Sequence, residues 1–137
     1  MRFESVLPWT WSFAFPLKEV DVLFVHYPKC TTCKKAAKWL ADHDIAFEGR
    51  HIVDNNPTAD ELRAWHELSG LPLKRFFNTS GMLYRDMHLK DKLPNMNEDE
   101  MFELLASNGM LVKRPLLVLE NTVLVGFREK EWEASLL

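Results

Sequence analysis

The stretch Asp21-Val-Leu-Phe-Val-His-Tyr-Pro-Lys-Cys-Thr-Thr-Cys-Lys-Lys-Ala-Ala-Lys-Trp-Leu-Ala-Asp-His43 decides how this chain folds. Its opening run, Asp21 to His26, is apolar and rich in β-branched residues, and Pro28 bounds it downstream, so it predicts a buried strand. From Thr31 or Thr32 onward, helix-forming residues prevail. Ala36, Ala37, Trp39 and Leu40 make an apolar stripe, and the lysines face away from it. Cys30 and Cys33 therefore lie at the junction of a strand and a helix. Ile45 to Val53 alternates loosely through Ile45, Phe47 and Ile52 and predicts a second strand, completing a βαβ unit of the usual right-handed kind.

Downstream, Thr58-Ala-Asp-Glu61 has the form of a capping box and opens a helix that runs through Leu62, Trp65 and Leu68 to Gly70. Short helical pieces are expected over Leu73 to Phe77 and Gly81 to Met87. Another, capped at Asn97-Glu-Asp-Glu100, ends at Asn108-Gly109. Pro115 to Leu119 and Thr122 to Gly126 flank Glu120-Asn121 and read as an antiparallel hairpin, followed by a last helix over Glu129 to Leu136. The order is β-α-β, a helical block over about residues 58–110, then β-β-α. Without the block, a thioredoxin-like α/β core remains, with a mixed four-stranded sheet.

A chain of 137 residues with 47% hydrophobic content builds one domain with a real core, expected over residues 21–137. Residues 1–20, with Trp9, Trp11, Phe13 and Phe15, are expected to form an N-terminal appendage. Glu4, Pro8 and Pro16 break the pattern of a signal peptide, and no A-x-A site follows. No run approaches the ~20 apolar residues that span a bilayer. A net charge of −3 gives no basic surface for counterion release and argues against direct nucleic-acid binding. Two cysteines placed three apart are no secreted disulfide scaffold, and they favour the cytoplasm. A monomer is expected.

A cysteine just before a helix meets unpaired N–H groups and the positive end of the helix dipole, which favours the thiolate. Lys29, Lys34 and Lys35 add positive charge nearby. The thiolate is the nucleophile, so Cys30 is the expected attacking residue and Cys33, one helical turn on, the resolving one. Two other readings of the pair are half of a zinc site, for which no second ligand pair follows, and inert small apolar side chains. His26, four residues before Cys30, is read either as a helper of the thiolate or as a packed histidine. Arg114 lies beside the thiol if Pro115 holds a cis bond at the mouth of its strand, and is otherwise a solvated surface residue. His43, His51, His66 and His88 show no metal spacing, and Asn78-Thr-Ser-Gly81 reads as a plain loop.

His26-Tyr-Pro-Lys-Cys-Thr-Thr-Cys33 and Lys113-Arg-Pro-Leu-Leu-Val118 together resemble the arsenate reductase (ArsC) and Spx/MgsR-like family of thioredoxin-fold proteins. Asn78-Thr-Ser-Gly81 with Tyr84, Leu89-Lys-Asp-Lys-Leu93 and Val125-Gly-Phe127 extend the likeness from about Val22 to Trp132. The resemblance implies that His26, Cys30 and Arg114 match positions that act on arsenate in the reductases, where arginines clamp the anion. The family's arginine in the segment Phe76 to Ser80 is replaced, with Asn78 near its place and Arg75 offset by three residues, and Arg128 matches a further arginine only loosely. This departure argues against arsenate as the substrate.

Cys33 points the same way. Glutaredoxin-linked arsenate reductases lack a cysteine there, whereas Spx-type regulators carry the C-x-x-C pair as a disulfide switch and bind RNA polymerase. Two functions follow from the resemblance, with glutaredoxin-linked arsenate reduction as a third. One is a thiol-dependent oxidoreductase with no bound cofactor, served by glutathione with glutaredoxin or by thioredoxin. The other is a redox-sensing regulator whose partner is the polymerase α subunit.

Overall fold

The computed structural model describes residues 21–137. The strands are β1 (Leu23–His26), β2 (Glu48–His51), β3 (Leu116–Val118) and β4 (Val123–Val125). Helix α1 (Thr31–Asp42) joins β1 to β2. Helices α2 (Ala59–Ser69), α3 (Met82–Asp86), α4 (Leu89–Lys92) and α5 (Glu98–Ser107) lie between β2 and β3, and α6 (Glu129–Leu136) follows β4. The expected appendage at residues 1–20 lies outside the described residues.

The sheet runs in the order β2-β1-β3-β4. β1 and β2 are parallel, with Leu23 opposite Glu48, while β1 with β3 and β3 with β4 are antiparallel. This is the mixed, thioredoxin-like arrangement expected from the order of elements.

Alternation along these short strands sorts two cores onto the two faces. Val25, Leu116 and Val125 form one cross-strand row and join the helical block through Leu62, Trp65, Phe76 and Phe102. Phe24 and Leu117, opposite each other on β1 and β3, pack on the other face with Ala36, Trp39 and Leu40 of α1 and with Trp132 of α6. Trp132 is fully buried, and its indole N–H donates to the carbonyl of Gly126 at 3.2 Å, which ties α6 to the segment after β4.

The second strand differs from expectation. Its paired residues are the polar Glu48-Gly-Arg-His51, and the apolar Ile45 and Phe47 precede them while Ile52 follows. An edge strand has little apolar face to bury, so the flanking residues insert instead: Ile45 and Phe47 on the α1 side, Ile52 on the other. Arg50 of this strand makes a two-pronged pair with Glu61 of α2, at 2.6 and 2.8 Å. Glu61 also completes the capping box with Thr58, accepting its backbone N–H at 3.0 Å. Helix α2 ends at Gly70 in the left-handed region, φ 68°, where glycine meets no side-chain penalty.

Candidate active site

Tyr27, Pro28, Lys29 and Cys30 make a turn closed by the Cys30 N–H donating to the Tyr27 carbonyl at 2.9 Å. Pro28 suits the second position of such a turn because its φ is already set. The turn delivers Cys30 as the N-cap of α1, in extended backbone, with its carbonyl accepting from Lys34 N–H at 3.0 Å. Cys30 is half-buried and Cys33 is buried, and both are free thiols. The stripe that buries α1 begins with Cys33 and continues through Ala36, Trp39 and Leu40, so the second thiol belongs to the packed face. The Tyr27 N–H donates to the Cys33 sulfur at 3.5 Å.

The two thiols are held far apart in acidity. Burial alone pushes the Cys30 thiol up, but the backbone N–H of Cys33, the Arg114 side chain, the Cys33 thiol and the backbone N–H of Thr32 together hold it below its ordinary value. Burial pushes the Cys33 thiol up to about 12, and the Cys30 charge and hydrogen bond add to the effect, against the opposing Tyr27 N–H and the Arg114 charge. Of the two sulfurs, Cys30 is the readier to ionise, while Cys33 holds its proton. The groups that lower the Cys30 thiol are the helix N–H groups, Arg114 and the Cys33 side chain.

Arg114 reaches the thiol from the strand mouth, where the Arg114–Pro115 bond is cis. Its guanidinium stacks over the ring of Tyr27 and donates to the Met110 sulfur at 3.9 Å. Cys30 and Arg114 line a cavity of about 380 Å³ together with Arg75, Lys113 and Arg128. Asn78, Ser80 and Gly81 line it as well, so the segment read as a plain loop is part of the cavity wall. A Cβ at Gly81 would lie 2.6 Å from the Asn78 amide nitrogen, so a larger residue there would displace the Asn78 side chain. Arg75, offset in sequence, comes to the same cavity because it follows the Leu73–Phe76 turn of 3-10 helix, and Gly126, at φ 79°, turns the chain so that Phe127 and Arg128 close the rim.

His26 is placed elsewhere. It stacks on Phe24 with ring centroids 4.7 Å apart, outside the groups that set the Cys30 thiol, and burial followed by the neighbouring His51 lowers its pKa. Of the other histidines, His43 caps α1 against Trp39, His51 accepts the N–H groups of Val53 and Asp54, and His66 packs between Phe76 and Phe102. Among the described residues, no three metal-ligating side chains gather at one place. Arg75, Asn78, Ser80 and Arg128 were not singled out as site residues by spacing or composition; the nearest sequence signal was the turn composition of Asn78 to Gly81.

The sequence and the fold are shared with known proteins. The chain is 53% identical to the uncharacterized protein YusI of Bacillus subtilis, over 85% of this chain and 98% of that one. It is 30% identical to the regulatory protein MgsR of Bacillus subtilis, over 82% of this chain and 88% of the relative. A possible arsenate reductase from Streptococcus mutans superposes with a TM-score of 0.77 at 45% identity, covering 84% of this chain and 99% of that one. The model of the ArsC family matches residues 25–135, nearly the whole of the described chain. By that match over most of its length, the chain belongs to the ArsC family.

Proposed function

We propose that this protein is a thiol–disulfide redox protein in which Cys30 attacks and Cys33 resolves. The observation that supports the reading best is the opposed acidity of the two thiols at a cavity wall: Cys30 held down by backbone N–H groups and Arg114, Cys33 held up by burial. The Cys30 thiolate displaces one sulfur of a substrate disulfide, which leaves as a thiol after taking a proton, and a mixed disulfide remains. At that point Cys30 carries no charge. The Coulombic and hydrogen-bond contributions that held the Cys33 proton vanish, while the Tyr27 N–H and Arg114 still favour its thiolate. Cys33 then attacks Cys30, releases the second substrate thiol and closes a Cys30–Cys33 disulfide. An external thiol donor returns the pair to its starting state, either two molecules of glutathione with glutaredoxin or the dithiol of thioredoxin, and no bound cofactor takes part. The cytoplasm, where thiols are kept reduced, suits this cycle.

The cations at the cavity also support an oxyanion such as arsenate as a substrate, because Arg75, Arg114 and Arg128 line it together with Cys30 although the sequence departs from the arsenate pattern. A second reading, a redox-sensing regulator that binds the RNA polymerase α subunit, is favoured by the likeness to MgsR. One set of assays separates them: reduction of a model disulfide and of arsenate with each reductant pair, beside redox-dependent capture of the α subunit, for wild type, Cys30→Ser and Cys33→Ser. Turnover that Cys30→Ser abolishes supports the redox enzyme. No turnover, with capture that changes on oxidation, supports the regulator. Indifference of both variants in every assay contradicts both readings.

A further inference from the structure

The cavity that holds Cys30 shares walls with others. Arg75 and Lys113 also line an adjoining cavity that includes Lys74 and Thr79. Thr79 leads to a third, with Arg85, His88 and Lys90, and Lys74 and Lys90 meet again at a fourth beside Pro94. The path therefore runs from the thiol across α3 and α4 of the helical block. Lys74, Arg75, Arg85, Lys90 and Lys113 lie along it, and Asp91 is the carboxylate in its walls.

What sets these cations apart is that they are gathered along one run of cavity walls. Elsewhere in the described chain Lys38 pairs with Asp42, Arg50 with Glu61 and Arg63 with Asp99 within 2.7 Å, and Arg128 with Glu131 at 3.5 Å, while Lys29, Lys34, Lys35, Lys92 and Lys130 make no such pair. None of the five along the path has a carboxylate partner among the described residues. In a chain with 20 acidic residues against 17 lysines and arginines, five cations with one carboxylate, Asp91, along these walls make a basic track on an acidic protein. Unpaired cations gathered along a groove raise the local concentration of an anionic ligand and fix its register.

From this geometry we infer that the track takes an acidic polypeptide segment and presents its disulfide to Cys30. The inference rests on the redox reading for its chemistry. A polypeptide fits better than a nucleic acid because the nucleophile at the end of the track needs a sulfur electrophile, which nucleic acid does not carry. The step balances as above: the partner's S–S bond breaks, its two sulfurs leave as thiols, and the Cys30–Cys33 bond forms.

The test compares three substrates on the full chain: a peptide disulfide flanked by Asp and Glu, a twin flanked by Lys, and the neutral hydroxyethyl disulfide. The acidic peptide should react about tenfold faster than its twin at low ionic strength, with the difference shrinking at high salt. Lys74→Glu with Lys90→Glu, both exposed, should remove most of that preference and leave the neutral disulfide unchanged. A cysteine-free acidic peptide, followed by fluorescence anisotropy, reads the track without chemistry. Failure of the neutral disulfide to react would sink the redox reading, and the anisotropy would still decide the track. Equal behaviour of the twin peptides, an unaffected charge-reversal variant, or tighter binding of an oligonucleotide of equal charge each overturns the inference.

Discussion

The guanidinium of Arg114 lies over the ring of Tyr27, 5.0 Å from its centroid, on the wall of the cavity that holds Cys30, whose thiol it lowers in pKa. Tyr27 thus acts twice on the pair, through its ring on Arg114 and through its N–H on Cys33. Arg114→Ala removes a charge-assisted donor to the thiolate and should slow alkylation of Cys30 at neutral pH on the order of tenfold. Tyr27→Leu keeps the backbone N–H but frees the guanidinium, and should slow it by a smaller factor, roughly two to five. Stopped-flow alkylation of both variants orders the two effects; an unchanged rate in Arg114→Ala would remove Arg114 from the site.

Cys33→Ser deletes the resolving thiol and keeps the backbone N–H groups that face Cys30. Mixed disulfide with a model substrate should accumulate in this variant and be visible by intact mass. In wild type it should pass on to the internal disulfide. Persistence of the mixed species in wild type would take the resolving role away from Cys33.

Gly109 has an ordinary φ, yet a Cβ placed there would sit 1.9 Å from the carbonyl oxygen of Ile52. Close backbone approach is what requires glycine. Gly109→Ala should destabilise the fold by about 1–3 kcal/mol as the chain shifts to relieve the overlap. Urea titration measures this, and a neutral result would mean that the two segments separate freely.

Glu61 has its pKa lowered to about 2, first by its hydrogen bond to Arg50. A group whose folded pKa lies below its unfolded value, about 4.3 for Glu, stabilises the fold above that unfolded value. The contribution is lost as pH falls from there toward 2. Because the Glu61 side chain is 37% exposed, screening by solvent leaves the pair only about 0.5–1 kcal/mol. Arg50→Gln should therefore cost stability at pH 7 and very little at the acid end, measured by denaturant titration across that range.

The main elements were legible because their signals are local. The capping box at Thr58, the αL glycine at Gly70 and the hairpin about Glu120-Asn121 each rest on a few adjacent residues, and the structure has them where expected. The same holds for Cys30 at the head of α1, since a strand, a proline turn and a helix follow one another in fifteen or so residues. The cavity was less legible because it is assembled from four separate segments. Arg75 misses the aligned position in sequence yet reaches the cavity through a turn of 3-10 helix, which a residue-by-residue match does not represent. Cys33 reads as a polar-chemistry residue in the motif and as an apolar one in the helix stripe, and it is both. The polar β2 escaped the alternation rule because an edge strand has little core to face.

The most direct measurement is the pH dependence of alkylation of each cysteine, followed by iodoacetamide labelling and peptide mapping of the native protein. Cys30 should react with a midpoint below that of an ordinary cysteine, and Cys33 should stay unlabelled through pH 9 until the protein is denatured. A Cys30 midpoint at or above the ordinary value, or labelling of Cys33 ahead of Cys30, would contradict the account.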